Sequence, residues 1–175
     1  MSTKTLMTAE QYGALDEPEG VRYELSEGEL IVSPSAMLFH NLTCNRINLP
    51  LSIFVHQNKL GDVVMETDFQ LDEDTVRRPD IAFISAGKLA LIDPHKRLQV
   101  APDLAIEVAS TSDRPDDLML KVQQYLNAGT GTVLVIYAEA HLAYLYRGQG
   151  RVEVFESGPI EILPGFSLNL DDILI

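Results

Sequence analysis

Hydrophobic and polar positions alternate along this chain in two ways. Two stretches repeat apolar residues at helical spacing. Residues 36–58 predict a long helix, which we expect Pro50 to kink or interrupt and Gly61 to follow as a stop. Residues 113–128 predict a second helix, which Gly129 ends. These two helices should supply the helical layers of the fold.

Shorter apolar runs predict strands. A helix over residues 9–15, with Thr8 and Gln11 at capping-box spacing, comes before them. The predicted strands are the hairpin "RYELSEGELIVSP" with its turn at Glu27–Gly28, the single strand "VVMETDFQL", the buried strands "DIAFIS", "DLAIEVA" and "TVLVIYA", and the hairpin "LAYLYR"–"RVEVFES". This order predicts an α/β (α+β mixed sheet) fold with one crossover helix. No linker-like tract divides the chain, so we expect residues 1–175 to form a single domain.

One residue contradicts the apolar character of its strand. Glu107 lies in the middle of "PDLAIEVAS", whose composition is that of a strand buried on both faces. An ionised carboxylate taken out of water costs several kcal/mol unless it is paired or binds a cation. The sequence therefore predicts a partner close to Glu107.

A second carboxylate lies in a similar position. Asp80 follows Pro79 at the head of the preceding apolar strand, 27 residues before Glu107. If the two strands are neighbours, both side chains can reach one cavity. Two carboxylates with water and substrate oxygens form the oxygen-rich shell that Mg²⁺ or Mn²⁺ prefers. Such an ion could activate water and stabilise charge on a phosphate.

A purely structural interpretation is also open for both acids. Asp80 could cap a turn after Arg77 and Arg78, and Glu107 could pair with one of these arginines. For Lys121 the geometry permits a role. The strand continues roughly 10 Å beyond Glu107, and the helix returns roughly 12 Å from Asp113 to Lys121. Lys121 thus comes back to the level of Glu107, where it could reach inward or extend into solvent.

Two further polar positions have an ordinary interpretation. Glu24 lies in a hairpin, where a solvent-facing glutamate that pairs with Arg22 or Arg46 is the default. His40 and His56 lie in the long helix, where a half-exposed histidine is usually structural. The sequence contains no Ser-His-Asp order, Gly-rich phosphate loop or metal-spaced Cys/His cluster.

Charge and cysteine content narrow the function classes. The net charge is −13, from 26 acidic and 13 basic residues, which argues against a broad basic surface for nucleic acid. A nuclease with a metal-neutralised acidic site stays compatible with this charge. The single cysteine, Cys44, excludes an intrachain disulfide and a multi-cysteine zinc site. The N-terminal sequence does not resemble a signal peptide, and the apolar runs are too short to span a bilayer, so we expect a cytoplasmic protein without membrane contact.

An ordered set of segments resembles a known family. "RYELSEGEL", a helix led by His40, "RRPDIAFIS", "PDLAIEVAS" and "KVQQYLNAGT" together resemble the Uma-two family of bacterial restriction-endonuclease-like proteins, within the PD-(D/E)XK nuclease superfamily. The resemblance runs from about Thr8 to Tyr146. It implies a restriction-endonuclease-like central mixed β-sheet flanked by helices, and often a homodimer.

The resemblance also implies roles for individual residues. Asp80 corresponds to the PD aspartate and Glu107 to the acidic member of the (D/E)XK element, and together with the main-chain carbonyl of Val108 they would hold magnesium. Glu24 matches an upstream acidic residue that could complete the site. His40 matches the histidine that leads the helix, and the resemblance gives it no role.

One position departs from the superfamily pattern. Ala109 stands two residues after Glu107, where the superfamily has lysine. In this family a lysine on the following helix substitutes, and Lys121 is that position here. It would orient the attacking water or stabilise developing negative charge.

Two functions from different classes follow from these observations. The first is a Mg²⁺- or Mn²⁺-dependent endonuclease that hydrolyses phosphodiester bonds of nucleic acid, DNA above all, with Asp80, Glu107, Lys121 and Glu24 in the site. The second is a catalytically silent binding or assembly module, which the acidic charge and Ala109 favour. A hydrolase of small phosphate esters is a lesser alternative.

Overall fold

The computed structural model describes residues 6–96, 98–110, 113–148 and 150–174. The elements of the first part of the chain are α1 (Ala9–Tyr12), β1 (Val21–Ser26), β2 (Glu29–Pro34), α2 (Leu38–Gln57), β3 (Gly61–Met65), β4 (Phe69–Asp72), β5 (Thr75–Arg77), β6 (Ile81–Ser85) and α3 (Ala86–Leu89). Those of the remainder are β7 (Leu104–Val108), α4 (Pro115–Asn127), β8 (Thr132–Tyr137), the 3-10 turn Ala138–Ala140, β9 (Leu142–Arg147), β10 (Arg151–Phe155), β11 (Pro159–Leu163), β12 (Phe166–Asn169) and α5 (Leu170–Ile173).

A mixed sheet with the strand order β10-β9-β8-β7-β6-β3 forms the centre of the fold. β7 and β8 are parallel and are joined by α4, whereas the other neighbouring pairs are antiparallel. Every residue of β7 is buried, because helices cover both faces of the sheet. The α2 residues Cys44, Ile47, Leu51 and Val55 pack on one face. Leu118, Val122 and Tyr125 of α4 pack on the other, which confirms the predicted mixed sheet flanked by helices.

A smaller sheet, ordered β2-β1-β5-β4, lies beside the first. It contains the predicted hairpin β1–β2, with Glu27 and Gly28 in the turn. The short α1 packs on this sheet and begins with the predicted capping box between Thr8 and Gln11. β5 was not predicted, because its three residues are too few for a periodic pattern. This sheet brings Glu24 of β1 towards the central sheet.

The structure corrects the single strand predicted for "VVMETDFQL". The segment forms two strands, β3 in the central sheet and β4 in the smaller one. The chain turns between them at Glu66, whose φ of 48° lies in the left-handed region, far from the extended backbone of a strand. Apolar alternation continues across the turn, so the pattern alone hides the break.

The long helix also differs from the prediction at two positions. Pro50 lies inside α2 and does not interrupt it, because the buried face of the helix is anchored in the core on both sides of the proline. The helix ends at Gln57 with Asn58 as its cap, so Gly61 is not its stop. Gly61 instead opens β3. The other helix agrees with expectation: α4 covers Pro115–Asn127, and Gly129 beyond it has a φ of 98°.

The C-terminal part contains both expected and unexpected elements. β9 and β10 form the predicted antiparallel hairpin. β11, β12 and α5 were not predicted, and they complete the core on the α2 side of the sheet. Among the described residues, no helix is both long enough and apolar enough to cross a bilayer.

Candidate active site

Two adjacent strands bring Asp80 and Glu107 to the same place. β6 and β7 pair antiparallel, with Ile81 opposite Ile106. Asp80 precedes Ile81 and Glu107 follows Ile106, so the two acids lie side by side at one end of the strand pair. Both are almost fully buried, at 7% and 5% exposure. The sequence does not establish whether these two strands are neighbours, and the pairing of β6 with β7 shows that they are.

Asp80 is held from several directions. Its Oδ2 accepts a hydrogen bond from the backbone N–H of Val108 at 2.8 Å and lies 3.2 Å from Nε2 of His40. Its Oδ1 lies 3.6 Å from Nη1 of Arg22. Burial alone would raise the pKa of Asp80, but the hydrogen bond and charge of His40 outweigh it and lower the pKa below the usual value. Asp80 is therefore a carboxylate at neutral pH.

Glu107 has a partner on each oxygen. Lys121 Nζ lies 2.9 Å from Oε2, and the hydroxyl of Tyr125 donates to Oε1 at 2.9 Å. Both partners come from α4, four residues apart and on one face. Burial raises the pKa of Glu107 to about 8, and the negative charge of Asp80 adds to this although Lys121 opposes it. Lys121 thus returns to the level of Glu107 and points inward.

Glu24 faces the same cluster and not the solvent. Its Oε1 lies 3.1 Å from Lys121 Nζ and accepts the backbone N–H of Arg78 at 2.7 Å. Its Oε2 lies 3.6 Å from Nη1 of Arg77. The default expectation of a solvent-facing hairpin glutamate was therefore wrong. Burial would lower the pKa of Lys121, but its position between Glu107 and Glu24 raises it well above the usual value, which keeps it protonated.

The structural alternative that Glu107 pairs with Arg77 or Arg78 is also wrong. Arg77 is buried and donates to Gln124 at 2.6 Å and to Ser26 at 2.8 Å. Arg78 donates to Asp68 at 2.6 Å. Both arginines thus fix β5 and its surroundings, and Glu107 is left to Lys121 and Tyr125.

His40 lies on the opposite side of Asp80 from Glu107. It is the third residue of α2, and its Nδ1 lies 3.6 Å from Sγ of Cys44, four residues further along the helix. The hydrogen bond to Asp80 raises the pKa of His40 to about 10, so the imidazole is charged. The ordinary interpretation of His40 as a merely structural histidine overlooked this contact.

Sequence reasoning missed Arg22, Cys44 and Tyr125 as members of the site. Arg22 and Glu24 are two residues apart in a strand and therefore share a face, which could have indicated Arg22. Cys44 follows His40 at the i, i+4 helical spacing. Tyr125 was assigned to the apolar face of α4, and its sequence position carries no indication of the hydroxyl's partner.

A cavity of about 390 Å³ opens over these side chains. Its lining includes Asp80, Glu107, Lys121, Glu24 and His40, together with Arg22 and Arg78. The donor set suits a hard divalent cation, because two buried carboxylates and the half-buried Glu24 supply oxygen ligands beside a space that water and substrate can fill. Each oxygen of these three carboxylates also has a cationic or hydrogen-bond partner from the chain itself.

Comparison with known proteins places the fold and the family. The Uma2 family, described as "Putative restriction endonuclease", matches residues 9–171. A crystal structure from Anabaena variabilis, described as a "putative nuclease" of DUF820, has a TM-score of 0.85 at 19% identity, over 95% of this chain and 97% of that one. At this identity the likeness establishes the shared fold. No curated protein matches the chain. Since the family match covers nearly the whole sequence, the chain belongs to the Uma2 (Uma-two) family.

Proposed function

We propose that this protein is a Mg²⁺-dependent endonuclease that hydrolyses phosphodiester bonds of DNA. The observation that carries the proposal is the convergence of Asp80, Glu107 and Lys121 on one cavity in a chain of a restriction-endonuclease family. A carboxylate pair beside a half-buried lysine is suited to phosphoryl chemistry, in which negative charge must be stabilised on the phosphate.

The carboxylates of Asp80 and Glu107 would hold the cation, together with the main-chain carbonyl of Val108. When bound, a divalent cation lowers the pKa of water and neutralises charge on the phosphate. Glu107 is the acid whose ionisation the site penalises most, and a nearby cation would favour its charged form. Mn²⁺ should substitute for Mg²⁺, because both prefer the same oxygen ligands.

Lys121 would orient the attacking water or stabilise the negative charge that develops on the phosphate. Its ammonium lies between Glu107 and Glu24, which fix its position within hydrogen-bond distance. Glu24 therefore acts as the group that positions Lys121. Ala109 has no ammonium group where the superfamily has a lysine. Lys121, on α4, would supply the ammonium group instead.

The acidic surface requires an explanation for DNA binding. The cavity lining sets Arg22, Arg78 and Lys121 beside its acids, so three cations lie where a phosphate would enter. Substrate contact would then depend on these cations and on the divalent ion. The homodimer expected from the resemblance stays a prediction, and β10 supports it as a sheet edge that exposes Val152 and Val154.

The test is nicking of supercoiled plasmid DNA by purified protein with Mg²⁺ or Mn²⁺. We expect the wild type to nick the plasmid and Asp80→Ala, Glu107→Ala and Lys121→Ala to lose at least 100-fold in rate. Asp117→Ala is the matched control, because Asp117 lies exposed at the start of α4, and it should keep the wild-type rate. Wild-type protein that cuts neither DNA nor RNA, or equal cutting by all variants, would overturn the proposal.

A second candidate is a catalytically silent binding or assembly module of the same fold. The observation that favours it is that each carboxylate oxygen of the site already has a partner from the chain. In that case Mg²⁺ should leave the free energy of unfolding unchanged in the wild type and in Glu107→Gln alike. Stabilisation of the wild type by Mg²⁺ that disappears in Glu107→Gln would exclude the silent module.

A further inference from the structure

Asp80 has a second set of neighbours that the proposed nuclease mechanism does not use. His40 and Cys44 lie one helical turn apart on α2 and face Asp80 from the side of the sheet opposite α4. His40 Nε2 is 3.2 Å from Asp80 Oδ2, and His40 Nδ1 is 3.6 Å from Cys44 Sγ. Asp80 thus lies between two clusters, with Glu107, Lys121 and Tyr125 on its other side.

The three residues lie close enough together to hold one small cation after a small contraction. One ligand atom from each of His40, Cys44 and Asp80 lies within 4.8 Å of the others. Around a tetrahedral ion with ligands at 2.0–2.3 Å, ligand atoms lie about 3.3–3.8 Å apart. The contacts of 3.2 and 3.6 Å are made by different ring nitrogens of His40, so a shared ion would use one nitrogen and replace both contacts. Bringing the three ligand atoms from within 4.8 Å to this spacing requires a contraction of about 1 Å.

The chemistry of this set differs from that of the site formed by Asp80 and Glu107. A thiolate and an imidazole are ligands for Zn²⁺, Co²⁺ and related ions, whereas magnesium prefers oxygen alone. His40 and Asp80 line the cavity, which gives an ion a path of entry and room for a water as fourth ligand. Cys44 lies behind them with 2% exposure, where water cannot compete for its sulfur.

We propose that His40, Cys44 and Asp80 form a site for a borderline divalent transition-metal ion of the zinc class, separate from the magnesium site and sharing Asp80 with it. The proposal goes beyond the nuclease function and does not depend on it. On binding, the thiol of Cys44 and the imidazolium of His40 each release a proton, and the metal–sulfur and metal–nitrogen bonds form in their place. Because Asp80 is shared, an ion in this site would compete with Mg²⁺ for that carboxylate.

Co²⁺ absorption tests the proposal without any nucleic acid or activity. Cys44 is the single cysteine of the chain, so a thiolate-to-cobalt charge-transfer band in the near ultraviolet can only arise from this residue. We expect Co²⁺ to produce this band with a stoichiometry of one ion per chain, and Zn²⁺ to displace it.

Variants separate the two metal sites. Cys44→Ser should lose the band, and His40→Asn and Asp80→Asn should each weaken Co²⁺ affinity by at least 10-fold. Glu107→Gln is the matched control, because it removes a magnesium ligand and should keep the band at wild-type affinity. Circular dichroism establishes that each variant is folded.

Three results would overturn the proposal. The first is the absence of a charge-transfer band in folded wild-type protein at saturating Co²⁺. The second is a band whose affinity is unchanged in His40→Asn, which would mean that the thiol binds cobalt alone. The third is a band lost in folded Glu107→Gln, which would mean that the ion depends on a ligand outside His40, Cys44 and Asp80. All of these results can be obtained whether or not the protein cuts DNA, so a failure of the nuclease proposal would not affect them.

Discussion

Glu107 is buried in β7 because α4 supplies a partner for each of its oxygens. Lys121 compensates its charge, and Tyr125 donates from a ring that is itself completely buried. The carboxylate is thus pinned in one orientation, next to Asp80 and towards the cavity. Because these donors and acceptors are buried, water cannot replace a partner that is lost.

Removal of one hydroxyl tests this arrangement. Tyr125→Phe leaves the ring in place but deprives Oε1 of Glu107 of its donor. Because a buried acceptor left without a partner is costly, we expect the free energy of unfolding to fall by about 1–3 kcal/mol in urea denaturation. Tyr146→Phe, on the half-exposed face of β9, is the control and should change it by less than about 0.5 kcal/mol. Equal effects of the two variants would contradict the role of Tyr125.

At the residue scale, the sequence indicated part of the site. Glu107 was conspicuous as a charge in an apolar strand. Strand order and helix rise allowed Asp80 and Lys121 to lie near it, and the family resemblance implied their roles. Spacing could place Arg22 on the face of Glu24 and Cys44 one turn after His40, but it could not show that Arg22 and His40 reach Asp80, because the separation of β1 and α2 from β6 in space is absent from local patterns. The roles given to the site residues stay predictions until they are measured.

At the scale of elements, the periodic segments were predicted better than the junctions between them. β7, α4 and β8 appeared as a buried strand, an amphipathic helix and a second buried strand, and they form the parallel crossover unit. The break between β3 and β4 was missed because a single left-handed residue, Glu66, separates two apolar segments. Gly61 was assigned to the wrong role because it follows a helix so closely.

Gly61 is required by the strand that it opens. Its φ is 151°, and an added Cβ would lie 2.0 Å from the backbone oxygen of Ile84 on the paired strand. Gly61→Ala should therefore lower the free energy of unfolding by at least about 1–3 kcal/mol from backbone strain alone. Gly87→Ala is the control, since nothing lies near its Cβ position in α3, and it should be neutral or stabilising by up to about 1 kcal/mol. Similar urea midpoints for both variants would contradict the register of β3 on β6.

At the scale of the whole molecule, net charge limits how DNA can be bound. With a charge of −13, the protein as a whole repels a polyanion, so DNA contact depends on individual cations, of which the cavity contributes Arg22, Arg78 and Lys121. The excess of acidic residues in the composition argued against nucleic-acid binding. It could not show that basic side chains collect at one opening, because they come from β1, α4 and the segment that joins β5 to β6.

Salt dependence measures how many phosphates these cations contact. Fluorescence anisotropy measures the binding constant K of Glu107→Gln for a labelled DNA duplex in EDTA, over a series of salt concentrations that starts low. The slope of log K against log salt concentration should be about −3, because three side chains contact phosphates. Adding Lys88→Gln, which removes a lysine remote from the cavity, should leave this slope unchanged. A slope of about −6 or steeper would require a basic surface elsewhere and would contradict this account.

The central claim is that Asp80 and Glu107 lie together in order to bind a divalent cation. Isothermal titration calorimetry of Mg²⁺ into wild-type protein and Glu107→Gln tests it most directly, with Asp117→Asn as the control. We predict one Mg²⁺ site per chain in the wild type and the control, and at least 10-fold weaker binding in Glu107→Gln. No Mg²⁺ binding to the wild type, or equal binding to Glu107→Gln, would contradict the claim and leave Glu107 as the ion-pair partner of Lys121.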